Sequence, residues 1–355
     1  MSGGTRKSEL PWLNLAFCAM VLWSHCSAHP ITHLDRGSWQ FMLVYLLQRL
    51  SFVSVYGFFL LSGLKLTLPR RTIPSLPTYW RGRGKSIFLP YLLAVFLYYI
   101  WFVYFLRYFP FSWRDLAGYA VRGDLSSHFY FVIGLFQFVL LAPVLRWLAG
   151  RWSPLLLLPF ALGITWTCAR YFPDMIRLFW PQFSFRYTDR IFLTYLFYYL
   201  AGCCIGRQYE SFISLLKDNR SLILTLFVLF AGGDLALSAL NVSGTRSVPF
   251  LEEIHMLYLM GAILACFLAA AYLPQKLPGW LAQVDRASYL IYLYHCLVIS
   301  AFDYLANRAG GLRTGPLFVL RLLAVYTLTP LACILWQGLR ARIWPARSQA
   351  GGTGG

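Results

Sequence analysis

Charge is scarce in this chain. Asp, Glu, Lys and Arg together make up 12% of its 355 residues, while 59% are hydrophobic. Soluble domains are about a quarter charged and about half apolar, so composition excludes an ordinary soluble enzyme. Acidic residues are scarcer still, 13 against 31 basic ones, for a formal net charge of +18. Such a surplus suits nucleic acid, but the chain has no basic domain and no known nucleic-acid motif. Its basic residues stand between apolar segments instead, as in cytoplasmic loops that touch membrane lipid. The eight cysteines (Cys18, Cys26, Cys168, Cys203, Cys204, Cys266, Cys296 and Cys333) all lie in apolar stretches without metal-ligand spacing. That argues against a disulfide framework and for packing as small hydrophobes. No repeat of fixed period is visible.

What the chain has in quantity is length of apolar run. Segments of roughly 18 to 24 apolar residues recur, each able to cross about 30 Å of hydrocarbon. The pattern predicts helices at 11–30, 42–66, 86–108, 128–149, 154–172, 189–206, 221–241, 250–273, 288–307 and 316–338, an all-α, polytopic membrane protein with ten crossings. The first resembles a cleaved signal peptide, with Arg6 and Lys7 before it and "CSA" after it. Asn14, Trp23 and His25 fit that reading poorly, so the segment is expected to stay. With the N-terminus inside, the inner segments hold 18 of the 31 basic residues and all five lysines. Positive charge in short loops marks the cytoplasmic side, so both termini are predicted there, in a multi-pass protein of the cell membrane. Residues 1–10 form a cytoplasmic N-terminus, 11–340 one transmembrane domain, and 341–355 a Gly-rich tail with no structure expected. The 13 outer or intrahelical basic residues are all arginine, which hints that some serve substrates rather than topology.

Polar residues gather at one depth. From the helical rise of 1.5 Å per residue, His25 lies about 21 Å from the inner surface and Arg49 about 10 Å below the outer one. His128 opens the fourth span on the same side, and the outer loops add His29, His33, Asp35, Arg36, Arg186, Asp189, Arg190 and His255. Each has a plain structural reading: His25 as a helix-to-helix hydrogen bond, Arg49 as a carbonyl partner, His128 as a helix start. Pro30 is expected to interrupt the helix between His29 and His33, which argues against a metal pair there. Their shared level favours a functional cavity instead, in which a neutral histidine beside a substrate hydroxyl is the natural general base. On the opposite face, a loop carries Lys65, Arg70, Arg71, Arg81, Arg83 and Lys85. It is either a topology signal in contact with anionic lipid, or a surface whose arginine forks grip the phosphates of a nucleotide-bearing donor.

Four stretches in this order resemble the acyltransferase-3 family of bacterial membrane O-acyltransferases. His25 stands near the end of the first helix, as the family's histidine does. "GFFLLSGLKL" matches the Phe-Phe-x-x-Ser-Gly signature through Phe58, Phe59, Ser62 and Gly63. "SHFYFVIGLFQFVLLAPVL" matches the His-Leu-Trp-Phe stretch, with His128 in register and Tyr130 in place of Trp. "ASYLIYLYHCLVIS" supplies Ser288, Tyr292 and His295 of a late Ser-x-x-x-Tyr-x-x-His element. Where the family usually has Arg or Lys, eleven positions before the histidine, stands Asn14, and "RGRGK" is an irregular form of its paired-arginine element.

The resemblance implies a ten-helix domain that takes an acyl group, acetyl foremost, from cytoplasmic acyl-coenzyme A. The group goes to a hydroxyl of an envelope glycan or lipid-linked sugar, with no permanently bound cofactor and no metal. It makes His25 catalytic and gives substrate contacts to Arg49, His128, Ser62, Arg186 and His295, with Arg81, Arg83 and Lys85 on the donor. A span beginning near 288 would leave His295 only about 10 Å from the inner side, where it is as well read as structural. Homo-oligomerisation is compatible with this picture. Two other classes stay open. One is an exporter of polysaccharide or an anionic solute, disfavoured because no matched pair of interrupted helices is visible. The other, raised by Asn14, is an inactive scaffold for envelope synthesis.

Overall fold

The protein is described as a computed structural model over residues 7–68, 75–244, 248–311 and 313–343. Arg6, Arg70, Arg71, Arg347 and the Gly-rich tail, which entered the topology reading, lie outside the described residues. Among the described residues every regular element is helical. In chain order they are α1 (Glu9–His33), α2 (Trp39–Ser51), α3 (Val53–Thr67), α4 (Leu76–Arg83), α5 (Leu89–Ile100), α6 (Trp113–Arg122) and α7 (Tyr130–Arg151). Then follow α8 (Pro154–Phe179), α9 (Leu196–Arg207), α10 (Tyr209–Asp218), α11 (Arg220–Val242), α12 (Leu251–Ala270), α13 (Gly279–Arg308) and α14 (Thr314–Ile343).

Among the described residues, eight rods are long and apolar enough to cross a bilayer: Trp39–Thr67, Leu76–Phe105, Ser127–Arg151, Pro154–Phe179, Arg220–Val242, Leu251–Ala270, Gly279–Arg308 and Thr314–Ile343. The other two predicted spans coincide with α1 and α9. α1 has 25 residues, but Asn14, Ser24, His25, Ser27 and His29 dilute its hydropathy. It tolerates them because it runs through the interior, packed on α2, α3, α13 and α14. Its Leu10, Leu13 and Phe17 enter one core, while Cys18, Leu22 and Cys26 enter a second against α13 and α14. α9 has 12 residues, about 18 Å of rise. Its apolar run is buried against protein, with residues 198–203 all buried, so it need not match the bilayer's thickness.

Helix α3 and α9 cross at backbone contact. A Cβ on Gly63 would lie 2.0 Å from the Tyr199 carbonyl oxygen, and one on Gly202 would lie 2.0 Å from that of Leu60. Small residues that let two backbones touch are a common membrane-helix device. The glycine of the Phe-Phe-x-x-Ser-Gly signature therefore has a packing duty here. Phe59, from the same signature, stacks on Tyr195 at 4.4 Å and meets Phe138 at 5.3 Å.

Several elements differ from expectation. The basic segment from Leu76 onward is helix, not loop: α4 passes through a π-turn at Gly84–Phe88 straight into α5. Pro90 has no N–H to give, and Gly82 and Gly84 hold a helix weakly. The wider turn closes instead with the Leu89 N–H on the Gly84 carbonyl. Pro30 does not end α1, which continues to His33. The His29 carbonyl accepts from the Thr32 hydroxyl at 2.9 Å and from His33 Nδ1 at 2.9 Å, side-chain bonds that hold this last turn together. The His29 and His33 rings stack at 3.9 Å. α13 starts at Gly279 rather than 288, and α14 runs to Ile343 rather than 338.

Candidate functional site

The early start of α13 relocates His295. It now lies sixteen residues into its helix (295 − 279), as His25 does in α1 (25 − 9), about 24 Å along each. The expectation of a residue near the inner end of its helix is thereby corrected. The two rings meet, with centroids 4.9 Å apart. His128, in the turn that opens α7, completes the group at 5.7 Å from His25 and 4.8 Å from His295. Three histidines, from the first, middle and last thirds of the chain, share one spot.

Their bonding differs, and the carbonyls decide how. A carbonyl only accepts, so the His128 Nε2–H donates to Leu293 O at 3.1 Å, and its Nδ1 faces the Ser126 hydroxyl at 3.0 Å. His295 donates from Nδ1 to Tyr292 O at 2.7 Å, and its Nε2 faces the Cys296 thiol at 3.3 Å. The Tyr292 hydroxyl donates to the His128 carbonyl, and Tyr98 OH donates to Leu293 O at 3.1 Å. His128 and His295 are thus pinned, at 1% and 0% exposure. His25 keeps part of its surface open, and neither of its ring nitrogens has a hydrogen-bond partner among the described residues. A fixed pair of rings around a free one leaves His25 able to accept or give a proton. Ligand atoms of His25, His295 and Cys296 also lie within 4.8 Å of one another, a set that could hold a soft cation.

Arg49 has a different address from the one expected. Its Nε and Nη2 donate to Asp234 Oδ1 at 3.3 and 3.2 Å, and its Nη1 and Nη2 reach Glu252 Oε1 at 3.4 and 3.3 Å. The second carboxylate oxygen of Asp234, a residue with 0% exposure, accepts from His255 Nδ1 at 3.0 Å. This makes an Arg–Asp–His chain across α2, α11 and α12, and Arg49's side-chain hydrogen bonds go to Asp234 within it and to Glu252 beside it. Gln48, one residue before it, reaches α1 at Ser24 O, next to His25.

The remaining residues are dispersed. Ser62 donates to Phe58 O of its own helix at 2.8 Å. Arg186 is exposed in the segment between α8 and α9. Arg81 and Lys85 are exposed on the α4 rod, and Arg83 lies over the Tyr79 ring at 5.5 Å. Asn14 is buried; its amide donates to Asp285 Oδ1 at 3.0 Å, and its oxygen accepts from Lys65 Nζ at 3.2 Å. A cation does reach the Asn14 position, delivered from α3.

Two groupings escaped sequence reasoning because their members are far apart in the chain. One is the Asp234–His255 pair, hinted at only by an acid inside an apolar helix. The other is a hollow of about 420 Å³ lined by Arg146, Arg151 and Arg207, with no acid on its wall. Gly150 leaves room there, since a Cβ would come within 2.9 Å of the Arg207 guanidinium.

Residues 11–336 match a family model described as an acyltransferase domain, the acyltransferase-3 family. Two Staphylococcus epidermidis proteins, each described as "Probable poly-beta-1,6-N-acetyl-D-glucosamine export protein", are 22% identical over 311 residues. The match covers 84% of this chain and 83% of each relative. No solved structure matches the chain.

Proposed function

The chain belongs to the acyltransferase-3 family, and on that footing we propose that it is a membrane O-acyltransferase acting on a cell-envelope sugar or glycolipid. In this reading ten segments cross the cell membrane, the eight apolar rods together with α1 and α9, and both termini are cytoplasmic. The donor is acyl-coenzyme A, acetyl-coenzyme A foremost, approaching from inside. His25 takes the proton of the acceptor hydroxyl as that oxygen attacks the thioester carbonyl. A C–O bond forms, the C–S bond breaks, and the proton passes on to the coenzyme's thiolate. His128 and His295 hold α7 and α13 around His25 and leave its nitrogens open. Arg81, Arg83 and Lys85 take the donor's phosphates, with the Arg146–Arg151–Arg207 hollow as a second cationic seat on the same α7–α9 end.

What carries the proposal is His25, the one ring of the three with both nitrogens open, in a chain of this family. The test is purified protein in lipid nanodiscs with labelled acyl-coenzyme A and an oligosaccharide acceptor. His25→Gln should fold with an unchanged melting temperature and lose about 10²–10⁴-fold in transfer, the usual span of a general base. Transfer near the original rate would remove His25 from the chemistry. Export of a polysaccharide is a second reading, favoured by the described role of the two relatives. It requires saccharide movement across sealed vesicles without any acyl donor, which the enzyme reading forbids.

A further inference from the structure

A second polar place lies beyond the Arg–Asp–His chain. A cavity of about 200 Å³ opens between α3, α8, α9 and α12, and its polar wall includes Arg170, Tyr198, Glu252, Glu253 and His255, with Trp166 and Tyr56 as aromatic surface. Two of these groups await a ligand. Tyr198 is 1% exposed and its hydroxyl has no hydrogen-bond partner among the described residues. His255 gives its Nδ1 to Asp234, which leaves Nε2 without a partner among the described residues. Buried polar groups are almost always satisfied, so an orphan beside a cavity calls for a missing partner.

The wall also says what kind of partner. It carries cation and carboxylates together, so an ion of either sign gains little. A hydroxyl-rich, uncharged ring gains from both, and its C–H face can lie on an indole or phenol. Rings link the cavity to the histidines. Tyr198 to Tyr56 is 4.7 Å, Tyr56 to Tyr195 5.6 Å, Tyr195 to Phe59 4.4 Å, Phe59 to Phe131 4.6 Å, Phe131 to Tyr292 5.2 Å and Tyr292 to His128 5.4 Å. Six ring contacts, through the buried Tyr195, Phe59, Phe131 and Tyr292, join the two places.

We propose that this cavity is a saccharide subsite, which holds one ring of an oligomeric acceptor while another ring stands at His25. The idea rests on the acyl-transfer reading only for the role of the second ring. Tyr198 contributes its hydroxyl, Trp166 its face, and Asp234 orients His255 as a positioning residue.

The experiment uses the full-length protein in nanodiscs and N-acetylglucosamine oligomers of one to six rings as probes. Binding is measured by calorimetry and transfer by mass spectrometry. Affinity should rise with length in the natural protein and equally in His25→Gln. Tyr198→Phe, which removes one oxygen, should raise Kd and KM for the hexamer about three- to tenfold, the size of one lost hydrogen bond. Its KM for the donor and for the monomer should stay unchanged. Trp166→Ala should flatten the length dependence. Length-dependent binding lost in Tyr198→Phe, with no transfer by any variant, would keep the subsite and discard the acyl-transfer reading. Equal behaviour of monomer and hexamer in the natural protein, or an unchanged hexamer KM in both variants, overturns the subsite.

Discussion

The histidine trio and the Arg49–Asp234–His255 chain are both buried polar clusters between helices, yet they are built to opposite ends. In the second, ionised partners bond one another, and Asp234 spends both carboxylate oxygens on them. In the first, the rings meet at steep angles, two are tied to backbone carbonyls, and the third is left open. Charges closed on each other hold helices in place; a neutral ring with an open nitrogen can act on something that arrives. Burial alone distinguishes neither. What separates them is where the unspent atoms stand: both nitrogens of His25 at the centre of the trio, but in the chain only His255 Nε2, at its edge beside the cavity.

Substitutions can break that contrast from either side. The largest effect should fall on chemistry: His25→Gln loses about 10²–10⁴-fold in transfer with stability untouched. Next, Asp234→Ala removes the buried carboxylate shared by Arg49 and His255 and leaves Arg49 only the more exposed Glu252. Breaking a buried pair this way costs about 3–5 kcal/mol, which thermal unfolding in nanodiscs would read, while turnover per folded molecule at saturating acceptor is retained. If Asp234→Ala silences turnover and leaves stability alone, the two clusters have been assigned the wrong way round. A smaller effect tests the Asn14 position. Lys65→Ala should lower turnover several-fold by removing the cation beside Asn14 and Asp285, and adding Asn14→Arg should restore it; an unchanged single mutant would make Lys65 dispensable. The smallest concerns the α4 rod. Removing Arg81 and Arg83 together should raise donor KM a fewfold, since exposed charges are screened beyond about 8 Å at physiological ionic strength. A normal donor KM there, with a raised one in Arg207→Ala, would move the phosphates to the α7–α9 hollow.

Much of this was legible in the chain, and the failures have physical causes. Eight spans could be read from apolar run length, His25 stood out as a costly residue at membrane depth, and His128 and His295 came chiefly from the family resemblance. The register of His295 was misread because "GWLAQVDRAS" carries charge and looks like a loop. Asp285 is buried against Asn14, a contact 271 residues away in sequence, and that is what lets the helix begin early. Pro30 looked like a terminator because the bonds from Thr32 and His33 that steady the turn are side-chain matters. The protein partners of Arg49, Asp234 and Glu252, could not be read from its depth, since depth says nothing of the direction a side chain faces around its helix. Asp234 and His255 lie on adjacent helices and meet only through their packing.

The glycine crossing of α3 and α9 bears on how this molecule works as a mechanism. Two backbones in direct contact act as a welded joint, with no side chains between them to slide or repack. A carrier that rocks two halves past each other needs a lubricated seam, and no such seam can run here. Sliding α3 along α9 would drive the two close-packed backbones into side chains, so these two helices are expected to move as one body. A covalent crosslink over this crossing should leave turnover intact; arrested turnover would mean that the joint is the hinge.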